Sequence, residues 1–472
     1  MNIETTLDGL QMNIRNDVEM QTATRALARH ITQTGFQDLS PEVVWEAKRR
    51  IADVIGAGLS GSTTPVGARM NEFAAKNGKS GKALIWGLGT RISPAYAALA
   101  NGTMAFHLEL DDVHRTSHTH PGVTTIPAAV ALAEENGLSG KALLVSVVLG
   151  YDAEIRVGMA VSPSIYIDRT YLAPGTLGVF GAAAAAAKLL RLDAEATAGA
   201  LGAASYVGPL APFESFRLGA PAKDTIMGWA NLSGLYAAEL AAHGFGGPDT
   251  ALEGDFGYCR TVSQRYDMNR LYHELGRKFE ILHTGIKPYA CCRQHHTAID
   301  AVLELKERHG LTPDQVAHVR HRTFVVGSRG TDQCPRSIPA AKYSAPYTIA
   351  IALTFGQNQR EQYAMNLIQD PSILDLASRV DVEADMELEA LYDEKWPSVV
   401  DITTTDGRLL TARRDLPKGE PEYPIPDPEL KEKFLSLATD AVSAERAENI
   451  WAAIFKLDEM DDVSELTSLL KR

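Results

Sequence analysis

The amino-acid sequence predicts a mainly α protein, with a large all-helical domain formed by both ends of the chain and a smaller inserted α+β domain. A chain of 472 residues is long enough for two domains with sizeable cores. Most of the first 270 residues carry apolar side chains at helical spacing, β-branched and aromatic runs follow, and helical patterns return near the end. The predicted boundaries are 1–270 and 419–472 for the helical domain and 271–418 for the α+β domain.

The first helices are predicted from caps and from apolar spacing. Ser40 offers an N-cap and Pro41 suits the first helical position. The stretches SGKALLVSVVLGYDAEIRVGMAV (139–161) and DAEATAGALGAASYV (193–207) continue the pattern with many small residues. Between them GVFGAAAAAAKLL (178–190) is the most apolar run, but it is too short to cross a bilayer and predicts a tightly packed core helix.

The inserted domain is predicted from short β-type runs around one helix. KFEILHTGIKPY (278–289) and VAHVRHRTFVV (316–326) carry β-branched and aromatic residues, and TAIDAVLELKERHG (297–310) between them has helical spacing. VVDITTTDGRLLTARR (399–414) predicts a hairpin, with Asp406-Gly407 as two central turn residues at positive φ. After a proline-rich connector, the stretch 428–460 returns to helix.

Composition excludes several kinds of partner. The net charge of −13 argues against nucleic acid and against an anionic membrane surface. Residues 1–17 show no apolar core flanked by basic residues, so no secretory signal is predicted. Four cysteines are too few for a disulfide framework, which favours reduced thiols in the cytoplasm. The adjacent Cys291 and Cys292 are interpreted as buried small residues, with a redox pair as the alternative.

The most unusual stretch is HLELDDVHRTSHTHPG (107–122), in which four histidines and three carboxylates fall within sixteen residues. A helix over 103–114 would place His107, Asp111 and His114 on one face, with His118 and His120 on a following loop. Thr125 is the expected cap of the next helix. Three interpretations stay open here: a metal site, a solvated helix end, and an acid/base centre in which carboxylates orient a histidine.

Three later stretches add basic residues. If the fold brings these residues together, they form a cationic pocket for carboxylates. The stretches are SFRLGAPAKDT with Arg217 and Lys223, GIKPYACCRQHH with Lys287, Arg293, His295 and His296, and RSIPAAKYSAPYTIA with Arg336, Lys342, Tyr343 and Tyr347.

In this order, these stretches resemble the MmgE/PrpD superfamily, which contains 2-methylcitrate dehydratases, cis-aconitate decarboxylases and iminodisuccinate epimerase. The markers are ELDD with a THP-type histidine, GTLGVFGAAAAAAKLL, the lysine of GAPAK, and KPYACC. The resemblance implies that the inserted domain is a lid over an active site that uses no metal and no cofactor. It also implies a homodimer and a small anionic carboxylate substrate.

The resemblance assigns roles to individual residues. The family's acid falls in ELDD, at Glu109, Asp111 or Asp112, and we take Asp111 as the catalytic one. The other predicted catalytic residues are His120, Lys223, Lys287 and the lid tyrosine Tyr347. The predicted substrate contacts are Glu109, Asp112, His118, Arg217, Arg293 and His295.

One departure from the family pattern decides between reactions. The dehydratases and decarboxylases carry a further histidine sixteen residues before the lysine that ends the alanine-rich helix, and this chain has Leu172 there. Leucine cannot donate a proton to a leaving hydroxyl or to a carbanion. We therefore expect epimerisation of a small amino- or imino-dicarboxylate. The alternatives are a dehydratase or isomerase of a citrate-like tricarboxylate, a decarboxylase, and a relative that binds carboxylates without turnover.

Overall fold

The computed structural model describes residues 22–472, and the predicted absence of a signal in 1–17 concerns residues outside this range. The fold is mainly α with a small sheet-containing part, which confirms the predicted fold class. No helix within 22–472 combines the length and the apolar character that crossing a bilayer requires.

The helices and strands are numbered in chain order. The α-helices are α1 Ala23–Gln33, α2 Pro41–Ser62, α3 Pro65–Asn77, α4 Pro94–His107, α5 Pro121–Glu135, α6 Gly140–Val161, α7 Ser164–Ile167, α8 Ala173–Leu189, α9 Ala194–Val207, α10 Glu214–Arg217, α11 Ile226–Ala242, α12 Tyr258–Val262, α13 His296–His309, α14 Ile338–Tyr343, α15 Ala345–Phe355, α16 Met365–Ile368, α17 Pro371–Ser378, α18 Met386–Glu389, α19 Asp427–Ala438, α20 Ala444–Phe455 and α21 Ser464–Leu469. The strands are β1 Ala83–Leu84, β2 Arg91–Ile92, β3 Val316–Thr323, β4 Val380–Ala384, β5 Ser398–Thr404 and β6 Leu409–Arg414.

The predicted helix starts are found at the predicted caps. The side chain of Ser40 accepts from the backbone N–H of Val43, and Pro41 occupies the first position of α2. Ser139 caps α6 in the same way, and Asp193 caps α9. These side chains satisfy amide donors that the first turn leaves without an intrahelical partner.

The alanine-rich helix α8 lies at the centre of the helical core, as its composition predicts. Its alanines 182–187 are fully buried, and the helix packs against α6, α5 and α11. A Cβ on Gly178 would meet the Thr124 side chain at 2.3 Å, so glycine allows the close approach of α5. Small residues therefore set the spacing of these helices.

The larger sheet has the order β4-β3-β5-β6, with β3 parallel to β4 and antiparallel to β5. The hairpin of β5 and β6 is confirmed, but its turn differs from the prediction. The loop has three residues between Thr404 and Arg408, and only Gly407 has a positive φ, at 86°. This is the three-residue loop with a left-handed glycine rather than a two-residue turn.

Two further local predictions are wrong. The run KFEILHTGIKPY forms no strand; it contains a short 3-10 turn at Glu280–His283 and a single bridge from Gly285 to Val113. Helix α4 ends at His107 instead of continuing to 114, and α5 begins at Pro121, so Thr125 lies inside that helix. The chain between α4 and α5 is a buried loop.

Two large hydrophobic clusters divide the core. The first combines residues 23–282 with the C-terminal segment 434–470, and the second is built mainly from 289–412. Each cluster also takes side chains from the other part: Leu108 and Leu110 join the second, and Tyr343 and Trp396 join the first. The boundaries at 270 and 418 stay a prediction.

Glu154, on α6, gives a test of this core through pH. Burial raises the pKa of Glu154 to about 8, and its carboxyl group accepts from Thr124 at 2.5 Å. The folded state therefore holds a proton that the unfolded chain releases near pH 4.5. Relative to Glu154→Gln, the wild type should lose up to ~1.4 kcal/mol of unfolding free energy per pH unit between about pH 4.5 and 8.

Urea unfolding at several pH values measures this difference. The exposed Glu445→Gln is the matched control and should follow the wild type. Parallel stability curves for wild type and Glu154→Gln would contradict the raised pKa of Glu154.

Candidate active site

The loop after α4 alternates between apolar and charged side chains. Leu108 and Leu110 pack into the second hydrophobic cluster, while Glu109 and Asp111 face two lysines. Glu109 has φ 58°, a left-handed conformation that is uncommon for glutamate. The loop therefore presents its carboxylates on the side opposite to its leucines.

A buried ion network surrounds Glu109 and Asp111. Lys287 Nζ lies 3.3 Å from Glu109 Oε2 and 3.2 Å from Asp111 Oδ1, and its side chain has no exposed surface. Lys223 forms an ion pair with the other oxygen of Glu109. Burial alone would raise the pKa of Glu109, but Lys223 and Lys287 outweigh it and lower that pKa. Burial would likewise lower the pKa of Lys287, but Asp111 and Glu109 raise it.

His120 completes this network. Its Nδ1 is hydrogen bonded to Asp111 Oδ2, and its ring lies edge-on to Phe106 at 5.8 Å between centroids. Burial raises the pKa of Asp111, but Lys287 and His120 lower it, so the carboxylate is ionised. An ionised aspartate fixes the proton on Nδ1 and leaves Nε2 as the basic nitrogen.

Glu109, His120 and Lys287 of this network line one cavity of about 60 Å³ between the helical part and the inserted segment. Its polar wall contains Glu109, His118, His120, Lys287, Cys292, Arg293 and Gln294. Its apolar wall contains Phe106, Val113, Tyr166, Leu172, Ala173, Pro174, Phe213, Phe216, Met227, Tyr343 and Trp396. The cavity therefore has one charged and one uncharged side.

The apolar wall includes a cluster of aromatic rings in mutual contact. Tyr166 meets Phe213 at 5.0 Å, and Tyr343 meets Phe216 at 5.1 Å and Phe213 at 5.8 Å. Leu172, at the N-terminus of α8, lines the same side of the cavity. The position at which the sequence departs from the family pattern is therefore part of the cavity wall.

Among residues 22–472, Arg293 is, with Lys287, one of two lysine or arginine side chains on the cavity wall, and it too has a carboxylate partner. Its guanidinium group donates to Glu420 Oε1 at 2.7 and 3.2 Å and to the carbonyl of Lys418 at 2.9 Å. Lys223, Lys287 and Arg293 are thus matched by Glu109, Asp111 and Glu420. The predicted pocket is less cationic than the number of its basic residues indicated.

Asp112 and His118 were predicted as substrate contacts, and the structure separates them. Asp112 faces away from the cavity: it accepts from Tyr151 OH at 2.6 Å and from the Gly122 N–H at 2.9 Å. Burial raises the pKa of Asp112 to about 6. His118 lines the cavity, where its Nε2 lies 3.0 Å from Asp393 Oδ1 and 3.1 Å from Tyr392 OH.

Three further predicted site residues lie away from both the cavity wall and the ion network around Glu109 and Asp111. The hydroxyl of Tyr347 donates to the Gln362 carbonyl at 2.8 Å, and the side chain is fully buried in the second cluster. Arg217 is 55% exposed and pairs with Glu214. His295 is buried behind Tyr343, donating to its carbonyl at 3.0 Å. The predicted lid tyrosine, Tyr347, therefore does not line the cavity; the tyrosines in its wall are Tyr166 and Tyr343.

Several contributors could not be identified as site residues from the sequence. Asp393, Tyr392 and Trp396 come from YDEKWP, which carries no motif. Lys342 was noted only as one base among others; its Nζ donates to the carbonyls of His107 and Leu108 at 3.1 and 2.8 Å, closing the C-terminus of α4. Burial lowers the pKa of Lys342 to about 8.

The two remaining histidines of the stretch 107–122 have local partners. His107 pairs with Asp224 at 3.0 Å, and His114 is hydrogen bonded to Ser117 at 2.9 Å. Within residues 22–472, no group of three or more His, Cys, Asp or Glu side chains is arranged to hold a metal ion. The helix that would have aligned His107, Asp111 and His114 is absent, since α4 ends first.

Comparison with known proteins identifies the class of this chain. The MmgE/PrpD N-terminal domain matches residues 25–271 and the MmgE/PrpD C-terminal domain matches 289–459. The chain belongs to the MmgE/PrpD family.

Similar proteins include a cis-aconitate decarboxylase-like protein of Aspergillus oryzae, 25% identical over 97% of this chain and 99% of the relative. The cis-aconitate decarboxylase of Aspergillus terreus is 25% identical over 95% of each chain. The human cis-aconitate decarboxylase is 26% identical over 96% of this chain and 95% of its own.

The ion network predicts a large stability cost when Lys287 is removed. Lys287→Met leaves Glu109 and Asp111 buried with one fewer cation, and we expect a loss of about 3–5 kcal/mol of unfolding free energy. Adding Asp111→Asn to that variant should recover part of the loss, because one uncompensated charge disappears. Chemical denaturation of the single and double variants measures the coupling.

Lys431→Met is the control, because Lys431 forms an exposed pair with Glu448. It should change the unfolding free energy by no more than about 0.5 kcal/mol. Equal effects of Lys287→Met and Lys431→Met would contradict a buried network.

Proposed function

We propose that this protein is an enzyme that moves a proton at the carbon next to a carboxylate of a small organic acid. The observation that carries the proposal is the arrangement of His120 and Lys287 on the cavity wall, with Asp111 bonded to both of them. A histidine with one nitrogen held by an ionised aspartate has its other nitrogen available as a general base. The names of the relatives, which are carboxylate-processing lyases, support an enzyme of this type.

In this mechanism His120 takes the proton, and negative charge spreads onto the adjacent carboxylate. Lys287 stabilises that charge. Its ammonium group has three N–H donors, of which Glu109 and Asp111 accept two, so one remains for the ligand. A fixed cation in a site of low dielectric lowers the barrier to such charge development. Lys223, held by Glu109, lies over the rings of Phe106 and Phe216 and adds to the positive potential.

Among reactions that begin with this step, we propose epimerisation of a small amino- or imino-dicarboxylate. Two observations support it over reactions of tricarboxylates. The cations on the wall are already matched by carboxylates, so a ligand with three negative charges has no spare cations to meet. Leu172 supplies no proton donor where the dehydratases and decarboxylases of the family carry histidine.

A lyase reaction is the second candidate, and the relatives favour it. Three similar proteins are named for cis-aconitate decarboxylation, and they cover almost the whole chain. In this reaction, as in the dehydration of a citrate-like acid, a group other than Leu172 would have to act as the proton donor. Turnover of any substrate separates both candidates from a relative that only binds carboxylates.

We further propose a homodimer in the cytoplasm. Helix α11 carries Trp229, Tyr236 and Leu240 at positions i, i+7 and i+11, and each is more than a third exposed. Such a face supports burial against a second copy. All four cysteines are free thiols, which supports a reducing compartment.

Proton exchange tests the proposed function directly. In deuterium oxide the wild type should replace the α-proton of its substrate with deuterium. This exchange is measured by proton NMR over a panel of di- and tricarboxylates. His120→Ala and Lys223→Ala should each lower the rate about 100-fold or more, the usual scale for a positioned acid or base. His309→Ala, on the exposed end of α13, is the control and should leave the rate unchanged. No exchange with any acid of the panel would contradict the proposal.

Leu172→His distinguishes the two candidate reactions. An imidazole introduced into the apolar wall has no prepared partner, so it should not raise the rate of α-proton exchange. Leu172→Asn controls for polarity alone. Release of carbon dioxide and formation of a conjugated double bond in the product are measured in parallel. Efficient decarboxylation or dehydration by the wild type, with Leu172 in place, would show that the missing histidine is not required.

A further inference from the structure

We infer that His118, held by Asp393 and Tyr392, is a second acid/base residue of this site and acts on the face of the substrate opposite to His120. The inference rests on the proposed epimerisation. That reaction needs one group to remove a proton from one face of the carbon and a second group to deliver a proton to the other.

His118 meets the same structural requirements as His120. It lines the cavity, and its side chain is only 7% exposed. Its Nε2 lies 3.0 Å from Asp393 Oδ1, a distance at which an N–H on that nitrogen donates to the carboxylate. That bond leaves Nδ1 as the basic nitrogen, and Nδ1 has no hydrogen-bond partner among residues 22–472.

The two histidines are held by different parts of the molecule. His120 is bonded to Asp111 and lies against Phe106, both from the helical part. His118 is bonded to Asp393 and Tyr392, which come from the inserted segment. Both histidines belong to the loop between α4 and α5, but their carboxylate partners come from different parts of the molecule, and on this ground we assign the two rings to opposite faces of the substrate.

The backbone and the neighbouring rings fix the position of His118. Its φ is 56°, in the left-handed region, and the imidazole stacks on Tyr166 with 6.0 Å between centroids and an angle of 11°. The ring of Trp396 also contacts the imidazole of His118, with 5.6 Å between centroids. A strained conformation over-determined by four contacts is typical of a functional position.

The proton balance closes without a co-reactant. His120 in its neutral form accepts the proton as the C–H bond breaks, and protonated His118 donates its proton as the new C–H bond forms. The carbon is inverted, His120 ends protonated and His118 neutral. The reverse reaction starts from that state, or exchange with water resets both rings.

Deuterium exchange from separate enantiomers tests the inference. His118→Asn is the variant of choice, because asparagine tolerates positive φ and has no acid/base function. The probes are the D and L forms of aspartate, N-methylaspartate and malate. In His118→Asn, epimerisation should fall about 100-fold, while one enantiomer still exchanges its α-proton, since His120 still removes it. His120→Asn should show the opposite enantiomer preference.

The outcomes are distinguishable. If the wild type exchanges none of the probes, the proposed function fails, and this inference fails with it. If the wild type epimerises a probe and His118→Asn does so within threefold of its rate, or loses exchange from both enantiomers equally, only the role of His118 is overturned. Asp393→Asn should give the same one-sided exchange more weakly, which a purely structural role would not produce.

A binding measurement provides a readout without turnover. Sodium malonate, an unreactive dicarboxylate, should shift the imidazole nitrogen resonances of both His118 and His120, with His309 unchanged as the control. A shift confined to His120 would overturn the placement of His118 beside the ligand.

Discussion

The site depends on a lysine with no exposed side-chain surface, Lys287, which lies between the carboxylates of Glu109 and Asp111. Charges removed from water are tolerated only when every partner is in place, so the two segments that carry them must meet. The bridge between Val113 and Gly285 brings the same two segments together through the backbone. The partly buried Lys433 of α19 donates to the carbonyls of Leu110 and Lys287 at 2.7 and 2.8 Å. The cavity lies where the segment of Glu109 and Asp111 meets the segment of Lys287, at the junction of the two hydrophobic clusters.

This organisation explains why the site is nearly neutral although it is rich in basic residues. Each lysine or arginine on the wall is needed by a carboxylate of the protein, and each carboxylate is needed to keep a buried cation charged. A ligand of the proposed kind would therefore meet preformed pairs, and it would gain directional hydrogen bonding and polarisation more than net attraction. The aromatic wall on the other side excludes water and strengthens those interactions.

The sequence predicted the helices well, because caps such as Ser40 and Ser139 and the spacing of apolar residues are local signals. It also predicted the β5–β6 hairpin. Family resemblance selected His120 and Lys287, which line one cavity, and Lys223, which pairs with Glu109; their catalytic roles stay predictions. It did not predict that α4 ends at His107, since Lys342, 235 residues later, closes that helix end. Tyr347 was assigned through the family resemblance, and the sequence alone does not reveal that Tyr343 faces the cavity. Asp393 could not be found, because its partner His118 is 275 residues away.

The alternation of leucine and carboxylate in residues 108–111 has a consequence for how this loop can vary. Leu108 and Leu110 anchor it in one hydrophobic cluster while Glu109 and Asp111 reach the lysines. Inserting or deleting one residue before Val113 would exchange the two sets, placing carboxylates in a hydrocarbon core and leucines against buried ammonium groups. Substitutions that keep size and charge are compatible with this arrangement, but a change of length is not. The length of this short stretch therefore fixes the position of the carboxylates relative to the hydrophobic core.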